Sequence, residues 1–348
     1  MTSATTPDFA TRLIAWQGRH GRHDLPWQAH RDPYRVWLSE IMLQQTQVET
    51  VIPYYRRFLS RFPDLDSLAR ADQDAVLAHW SGLGYYARAR NLHQAAREIA
   101  ARHAGRFPDT LAAIQALPGI GRSTAAAIAA FCFGQRQAIL DGNVKRVLTR
   151  VFGIEGWPGE KAVENRLWSL AESLLPDQDI RAYTQGLMDL GAGVCTRGRP
   201  RCDVCPFADD CLAHRQGRQR ELPGPRPRKA VPERSVAMLI LLRAGEVLLE
   251  KRPSPGIWGG LWSLPECGET EDPVQAARAL GYPALGAKEM PGLSHAFTHF
   301  RLFIRPWVLA VSASRHVAEP GRVWLALDDL AGAALPTPVR RILEMTRG

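Results

Sequence analysis

The sequence contains no long apolar run and no apolar stretch near its first residue. Residues 1–8 are polar, and no segment of about 18 residues is apolar enough to span a bilayer. These absences exclude a secretory signal and a membrane-spanning helix, so we expect a protein of the cytoplasm or of a DNA-containing compartment. Internal repeats and low-complexity segments are also missing, which excludes a repeat architecture.

Strand-like patterns are scarce in the first two-thirds of the chain. Alternation of apolar and polar residues is rare before residue 212, where Pro and Gly separate stretches with helical spacing. Residues 8–211 are therefore predicted to form a helical domain. Its first helix is expected at 8–19, and a long helix is expected from Pro33 to about Thr50.

Composition changes after this helical domain. Residues 212–234 hold four prolines and seven Lys or Arg against two Glu, which is typical of an interdomain linker. Residues 235–348 then show strand patterns. Val236–Leu242 and Val247–Leu249 flank Arg243-Ala244-Gly245, which predicts a hairpin in a smaller α+β domain.

Acidic residues are outnumbered by basic ones. The 348 residues include 44 Lys or Arg and 35 Asp or Glu, so the net charge is 44 − 35 = +9. Such an excess favours a polyanionic partner, and nucleic acid is the usual one. The hydrophobic content of 45% is ample for packed cores, and the length favours two domains over one.

Cysteine is infrequent, with six in the whole chain, yet four of the six lie within seventeen residues. Their spacing is C-x6-C-x2-C-x5-C, and thiolates so close in sequence converge on one centre, either zinc or a [4Fe–4S] cluster. Zinc sites usually pair two short knuckles, whereas this segment has one. The four residues are Cys195, Cys202, Cys205 and Cys211.

A glycine turn and an aspartate about twenty residues later form a further pattern. Gly119 and Gly121 permit a tight turn that leads into an Ala-rich helix, whose N-terminal N–H groups can hold a phosphate. Asp141 precedes a second helical run. It is either a helix N-cap or a reactive carboxylate, and the turn on its own also fits an ordinary helix-turn-helix.

This pair of features resembles the helix-hairpin-helix DNA glycosylases of base excision repair, with the hairpin at about 112–131. The segments 37–46, 82–92 and 140–144, together with the cysteine spacing at 195–211, resemble the MutY family of that superfamily. The resemblance implies a mainly α N-terminal glycosylase domain with a [4Fe–4S] loop, followed by an α+β MutT-like domain of the Nudix fold.

The resemblance also implies a reaction. MutY enzymes remove adenine paired with 8-oxoguanine, and also adenine paired with guanine, after flipping the base out of the duplex. Glu40 would be the acid at adenine N7, Asp141 the carboxylate that stabilises the sugar, and Asn143 a helper of Asp141 or of the water. Ser123 stands where the lyase branch has a nucleophilic lysine, which implies a monofunctional enzyme.

Other family positions match side chains that would contact DNA. Gln45 and Tyr85 would wedge into the helix, with Thr46 and Leu83 nearby, and Gln185 would bind adenine. The hairpin residues Gly119, Gly121 and Ser123 would lie at the DNA backbone, as would the basic cysteine loop with Arg197, Arg199 and Arg201.

The C-terminal segment resembles the MutT-like domain of the family. Gly260 and Glu266 fit the Nudix signature, but the acidic positions that hold divalent metal are Gln275, Arg278 and Ala279. We therefore expect no nucleotide pyrophosphatase activity. The family's 8-oxoguanine-binding Phe-Ser-His loop corresponds to Phe297, Thr298 and His299, with threonine in place of serine.

The implied protein is thus a nucleoid-associated monomer in the cytoplasm with one [4Fe–4S] cluster. Its partner would be double-stranded DNA with A:8-oxoguanine or A:G mispairs. Three alternatives remain open: an endonuclease III-like glycosylase and lyase, a non-catalytic iron–sulfur sensor of DNA damage, and a Nudix hydrolase with a DNA-binding appendage.

Overall fold

The computed structural model describes residues 6–29, 31–227, 230–254, 256–312, 320–330 and 332–347. Residues 1–5 of the polar N-terminal segment lie outside the described residues. So do position 30 of the predicted helical domain, positions 228 and 229 of the predicted linker, and positions 255, 313–319, 331 and 348 of the predicted C-terminal domain. Within the described residues, no helix is long and apolar enough to cross a membrane.

The secondary structure confirms a helical first part and a mixed second part. The helices are α1 (Thr6–His20), α2 (Pro33–Leu43), α3 (Val48–Arg61), α4 (Leu65–Arg70), α5 (Gln73–Trp80), α6 (Ala87–Arg102), α7 (Leu111–Ala116), α8 (Arg122–Phe133), α9 (Gly142–Val151), α10 (Lys161–Ser173), α11 (Ile180–Asp189), α12 (Leu212–Arg215), α13 (Pro273–Ala279) and α14 (Thr337–Arg347). The strands are β1 (Glu233–Arg243), β2 (Glu246–Lys251), β3 (Trp262–Ser263), β4 (Glu266–Cys267), β5 (Lys288–Glu289), β6 (Leu293–Ala296), β7 (Arg301–Ala310) and β8 (Arg322–Ala326).

Packing divides the chain into two compact units. The first unit comprises residues 1–70 with 91–228, and the second comprises residues 71–90 with 229–348. Segment 71–90 therefore packs with the C-terminal part of the chain, although in sequence it lies among the helices. The domain boundaries derived from composition, 8–211, 212–234 and 235–348, remain a proposal about sequence organisation.

The first unit is built of amphipathic helices around an apolar core. Phe9 and Leu13 of α1 are fully buried, and the Phe9 ring stacks on Phe207 at 4.3 Å between centroids. Apolar residues of α8 to α11 complete this core, in which Val144 and Leu187 are buried. The core thereby fixes α9, which begins directly after Asp141.

One expected helix is shorter than its sequence pattern suggested. The prediction of one long helix from Pro33 to about Thr50 is wrong, because α2 ends at Leu43 and α3 begins at Val48. Gln45 lies between them with φ +60°, a left-handed conformation that no α-helix can continue through. The interruption places an exposed glutamine at the tip of a turn.

The described residues of the second unit form a mixed eight-stranded sheet. β1 pairs in parallel with β7 and antiparallel with β2, and the predicted hairpin closes on Ala244 and Gly245, which both have positive φ. β1 is the buried centre of the sheet, since Met238 to Leu241 are 0% exposed. A parallel pair needs a crossover, and the connection from β1 to β7 includes α13.

Candidate active site and nucleic-acid interface

The predicted hairpin is formed by α7, the turn 117–121 and α8. Gly119 has φ +79°, and a Cβ there would lie 2.7 Å from Asn91 Cβ, so both conformation and space require glycine. Gly121 is different. Its φ is −83°, with nothing within 4 Å of an added Cβ, so the expectation that the turn's conformation needs this glycine is wrong.

Gly121 is instead the N-cap of α8 and has no side chain to cap the helix. The first N–H groups of α8 are therefore not screened by a side chain at this position, which suits the approach of a phosphate oxygen. The helix itself has six consecutive buried residues, Ala125 to Ala130, and so is anchored in the first unit.

Ser123 links this hairpin to the segment before Asp141. Its Oγ accepts a hydrogen bond from the Leu140 backbone N–H at 2.9 Å. A serine hydroxyl thus fixes the chain one residue before the predicted reactive carboxylate. A lysine at this position would have no acceptor oxygen to offer to that N–H.

Asp141 is the N-cap of α9, so the structural interpretation of this residue is confirmed. Its Oδ1 accepts the Val144 N–H at 2.8 Å. Burial raises the pKa of Asp141, while backbone N–H groups of Val144 and Asn143 and the nearby Arg146 and Lys145 oppose that rise. N-capping does not exclude chemistry, because those donors also stabilise an ionised carboxylate.

Glu40 faces Asp141 from α2. Burial, and next the negative charge of Asp141, raise the pKa of Glu40 to about 8. Its neighbours Leu38, Ser39 and Ile41 on α2 are buried, and the Glu40 side chain itself is half-buried. The two carboxyl groups therefore differ: Glu40 is protonated near neutral pH, whereas Asp141 has the donors that favour its charge.

Arg146 connects α9 to the segment that precedes the cysteines. Its guanidinium donates to Asn143 Oδ1 at 2.7 Å, to the Gly191 carbonyl at 2.6 Å and to the Cys195 carbonyl at 2.7 Å. Residues Leu190–Val194 form a π-turn here, and a Cβ on Gly191 would lie 2.5 Å from Asn143 Cβ. Asn143 is thus held tightly beside Asp141.

The four cysteines line one cavity. Apolar side chains of α9 and of the π-turn, such as Val147 and Val194, line it with them. Arg150, 2% exposed, donates to Cys195 Sγ at 3.4 Å and to the Thr196 carbonyl at 2.7 Å. Among the described residues, no three His, Cys, Asp or Glu side chains form a group that could hold a metal ion. The cysteines are Cys195, Cys202, Cys205 and Cys211.

The loop between the first two cysteines presents its cations outward. Arg197, Arg199 and Arg201 are all exposed. The Thr196 hydroxyl donates to the Arg199 carbonyl at 2.7 Å, and Arg201 Nη2 donates to the Gly193 carbonyl at 3.1 Å, so the loop backbone is internally braced. A braced loop with three exposed guanidinium groups can bind a polyanion.

Two further predicted contacts of the first unit lie in different environments. Gln45 is exposed, and Thr46 is half-buried beside it. Gln185 is buried on α11, where its Nε2 donates to Asp189 Oδ1 at 2.8 Å. Asp189 is itself paired with Arg22 at 2.7 Å. Gln185 is therefore held by a buried ionic network.

The predicted wedge residue Tyr85 lies in the second unit, on the loop 82–85. Tyr85 is 48% exposed with φ +49°, whereas Leu83 is buried at 6%. Arg88 supports this loop by donating to the carbonyls of Leu83 at 3.3 Å and Gly84 at 3.2 Å. Gln45 and Tyr85 thus share a left-handed backbone that side chains rarely adopt, a kind of strain found at functional sites.

The predicted lesion loop, Phe297 to His299, connects β6 and β7. The Phe297 N–H donates to the Phe300 carbonyl at 2.9 Å, and the two rings stack at 4.4 Å. Thr298 and His299 are exposed at the tip of this turn. The ring of Trp258, itself 8% exposed, lies 5.7 Å from Phe297.

Sequence reasoning missed several residues that organise these sites: Arg88, Arg146, Arg150, Asp189 and Trp258. An arginine on a helix face gives no signal that its guanidinium will be buried against backbone carbonyls. Asp189 lies four residues after Gln185, a spacing that places both on one helix face and could have suggested their bond.

Comparisons with known proteins give the family of each part of the chain. Residues 38–173 match the family described as HhH-GPD superfamily base excision DNA repair protein, and residues 236–345 match a NUDIX domain. The adenine DNA glycosylase of Buchnera aphidicola subsp. Acyrthosiphon pisum (strain APS) is 36% identical over 338 residues, which is 97% of each chain. That of Homo sapiens is 32% identical, covering 98% of this chain and 74% of its own.

Solved structures match the helical part. A thermostable thymine-DNA glycosylase has a TM-score of 0.54 and 29% identity, covering 61% of this chain and 97% of its own. A non-covalent endonuclease III–DNA complex has a TM-score of 0.53 at 19% identity, covering 62% of this chain and 99% of its own, and shows the same fold. The two-part fold class is confirmed by these matches.

Proposed function

Because this chain belongs to the adenine DNA glycosylases of the HhH-GPD superfamily, we propose that it removes adenine opposite 8-oxoguanine, and opposite guanine, as a monofunctional enzyme. Base excision repair of adenine follows from the family. The 8-oxoguanine partner, the flipped base and the named residues are the proposed part. The observation that carries this proposal is the pairing of Glu40 with Asp141: burial and the charge of Asp141 raise the pKa of Glu40 to about 8, whereas backbone N–H groups and the nearby Arg146 and Lys145 oppose the rise that burial causes in the pKa of Asp141.

Breaking an N-glycosidic bond places negative charge on the leaving base and positive charge on the sugar. Glu40, neutral at pH 7, donates its proton to adenine and so neutralises the leaving group. Asp141, which accepts the Val144 N–H at the start of α9, would act as the carboxylate that stabilises the sugar cation until water attacks. Arg146 occupies Asn143 Oδ1, which leaves the Asn143 amide nitrogen as a donor to Asp141 or to the water.

Extraction of the base from the stack is assigned to the exposed residues at positive φ. Gln45 and Tyr85 are each exposed on a backbone of positive φ, and each is proposed to insert into the DNA stack when adenine is flipped out. Buried Leu83 supports the loop from within. Gln185 presents its amide oxygen to adenine while its nitrogen is bound to Asp189.

Although the four cysteines do not form a site for a single metal ion, they line one cavity, which suits a [4Fe–4S] cluster in which each thiolate would bind a different iron. Four thiol groups and apolar walls are the donor set that such a cluster uses, and burial raises the pKa of Cys205 to about 12, so a metal centre is needed to hold it as thiolate. When bound, such a cluster would tie the four cysteines of the loop together, and hydrolysis of the N-glycosidic bond would require no redox step from it. Iron and sulfide analysis of the purified protein tests this, with loss expected in Cys202→Ser.

The testing experiment uses a duplex with one adenine opposite 8-oxoguanine, and half of each sample is treated with alkali. Strand cleavage only after alkali, abolished in Glu40→Gln and Asp141→Asn, is the expected result. Glu49→Gln, an exposed glutamate on α3, is the matched control and should keep full activity. Cleavage without alkali would indicate a lyase, and binding without any cleavage would indicate a damage sensor.

A further inference from the structure

The second unit contains both the wedge loop, residues 82–85, and the lesion loop, Phe297 to His299. Polar bonds join segment 71–90 to the rest of this unit. The Tyr86 hydroxyl donates to the Leu335 carbonyl at 3.1 Å. Arg90 Nη1 donates to the Gly259 carbonyl at 2.7 Å, a short charge-assisted bond.

The Gly259 carbonyl belongs to a tightly determined turn. Trp258 has φ +56° and Gly260 has φ +80°, and the Leu261 N–H donates back to the Trp258 carbonyl at 2.9 Å. A Cβ on Gly259 would meet the Pro253 carbonyl at 3.0 Å. A tryptophan in the left-handed region persists only where its surroundings determine it, so this turn has one arrangement.

The Trp258 ring lies under the lesion loop. It is 6.0 Å from His295 and 5.7 Å from Phe297, and Phe297 in turn stacks on Phe300. Because the Trp258 ring is 8% exposed, a movement of Phe297 toward it would have to be accommodated by Trp258 or by its turn. The carbonyl that Arg90 binds follows directly in the chain.

The first turn of α6 connects this carbonyl to the wedge loop. Arg88 bonds to the carbonyls of Leu83 and Gly84, and its guanidinium lies 5.5 Å from the Tyr85 ring centroid. Arg90, two residues later on the same turn, holds Gly259. The first turn of α6 therefore contacts the wedge loop through Arg88 and the Trp258 turn through Arg90.

We propose that Trp258 and Arg90 are positioning residues that couple the lesion loop to the wedge loop. The presence of 8-oxoguanine at the lesion loop thereby sets the placement of Tyr85, so that base extraction depends on the base opposite adenine. This inference rests on the proposed function for its biological meaning, but the mechanical link itself exists in the protein without DNA.

The first test measures amide hydrogen exchange of the free protein in peptides covering residues 82–90. Trp258→Leu is expected to speed exchange there about tenfold, since the support from the Gly259 turn is weakened. Arg97→Gln is the matched control, because Arg97 also lies on α6 and also binds a backbone carbonyl, that of Ala69. Unchanged exchange in a folded Trp258→Leu protein would overturn the link.

The second test measures single-turnover adenine release from duplexes with A opposite 8-oxoguanine and A opposite guanine. Trp258→Leu and Arg90→Gln should each reduce the preference for 8-oxoguanine about tenfold, and the double variant should lose no more than either alone. Arg90→Lys should retain part of the preference. Additive losses in the double variant would overturn the coupling.

The two tests separate the inference from the proposed function. Wild-type protein that shows no preference for 8-oxoguanine would contradict the proposed function, while the exchange measurement would still decide whether the loops are linked. If Trp258→Leu strongly lowers the melting temperature, the Trp258→Phe variant is used in both measurements instead, because phenylalanine retains an aromatic ring. A preference that survives in a folded Arg90→Gln protein would refute the role of Arg90.

Discussion

Glu40 is a residue for which function and stability make opposite demands. Its pKa is raised from 4.5 to about 8, chiefly by burial, so the folded protein holds a proton that the unfolded chain releases at lower pH. Between these two pKa values the native state binds more protons than the unfolded state, so the free energy of unfolding falls as pH rises. The raised pKa of Glu40 therefore lowers the stability of the fold progressively between about pH 4.5 and about pH 8.

We predict that Glu40→Gln is more stable than wild type at about pH 8 and equally stable at about pH 4, with a difference on the order of 1–3 kcal/mol at the higher pH. Thermal unfolding of both proteins across this range is the measurement. Wild-type adenine release should decline as pH rises through about 8, because the acid loses its proton. A stability difference that does not change with pH would contradict burial as the cause.

Ser123 offers a test of how a single hydroxyl positions the chemistry. Ser123→Ala leaves the Leu140 N–H without its acceptor and loosens the residue before Asp141, at a cost of about 1–2 kcal/mol. We expect the single-turnover rate to fall about tenfold while DNA affinity is retained. Ser169→Ala, which removes an exposed helix-surface hydroxyl bonded within α10, should change neither quantity.

In the hairpin of α7 and α8, two glycines have different roles: Gly119 is required by the backbone conformation, whereas Gly121 is the N-cap of α8. Gly119→Ala places a Cβ against Asn91 at positive φ, so we predict a loss of about 1–3 kcal/mol in stability. Gly121→Ala has room and an ordinary φ, so the melting temperature should not change, but its methyl group stands where a phosphate would approach α8. Thermal unfolding should therefore detect Gly119→Ala, and a loss of DNA affinity should detect Gly121→Ala. A lower melting temperature in Gly121→Ala would contradict this assignment.

The same elements show what sequence patterns could and could not predict. The hairpin, the start of α9 at Asp141 and the β1–β2 turn follow from local chemistry, because glycine, capping and strand alternation act over a few residues. The end of α2 does not, since Gln45 adopts φ +60° although nothing local requires it. The burial of Arg150 and the carbonyl contacts of Arg146 also depend on residues about 45 positions away, as in the bonds from Arg150 to Cys195 and from Arg146 to Gly191.

At the scale of the whole molecule, the net charge of +9 predicts salt-sensitive DNA binding, but charge alone does not say where the phosphates lie. The braced loop with exposed Arg197, Arg199 and Arg201 is our predicted phosphate-binding segment. Each phosphate contact contributes about 0.9 to the slope of log affinity against log salt concentration. Replacing the three arginines with alanine should therefore reduce the slope by about 2–3.

The control for this prediction removes equal charge elsewhere. A triple variant of exposed helix arginines, Arg70→Ala, Arg102→Ala and Arg166→Ala, also lowers the net charge from +9 to +6 (9 − 3 = 6). Arg70 and Arg102 are paired with Asp66 and Glu98 on their own helices. If both triple variants lowered the slope equally, the attraction would come from the general field of the protein; a fall confined to the loop variant would mean that the cysteine loop touches the DNA backbone.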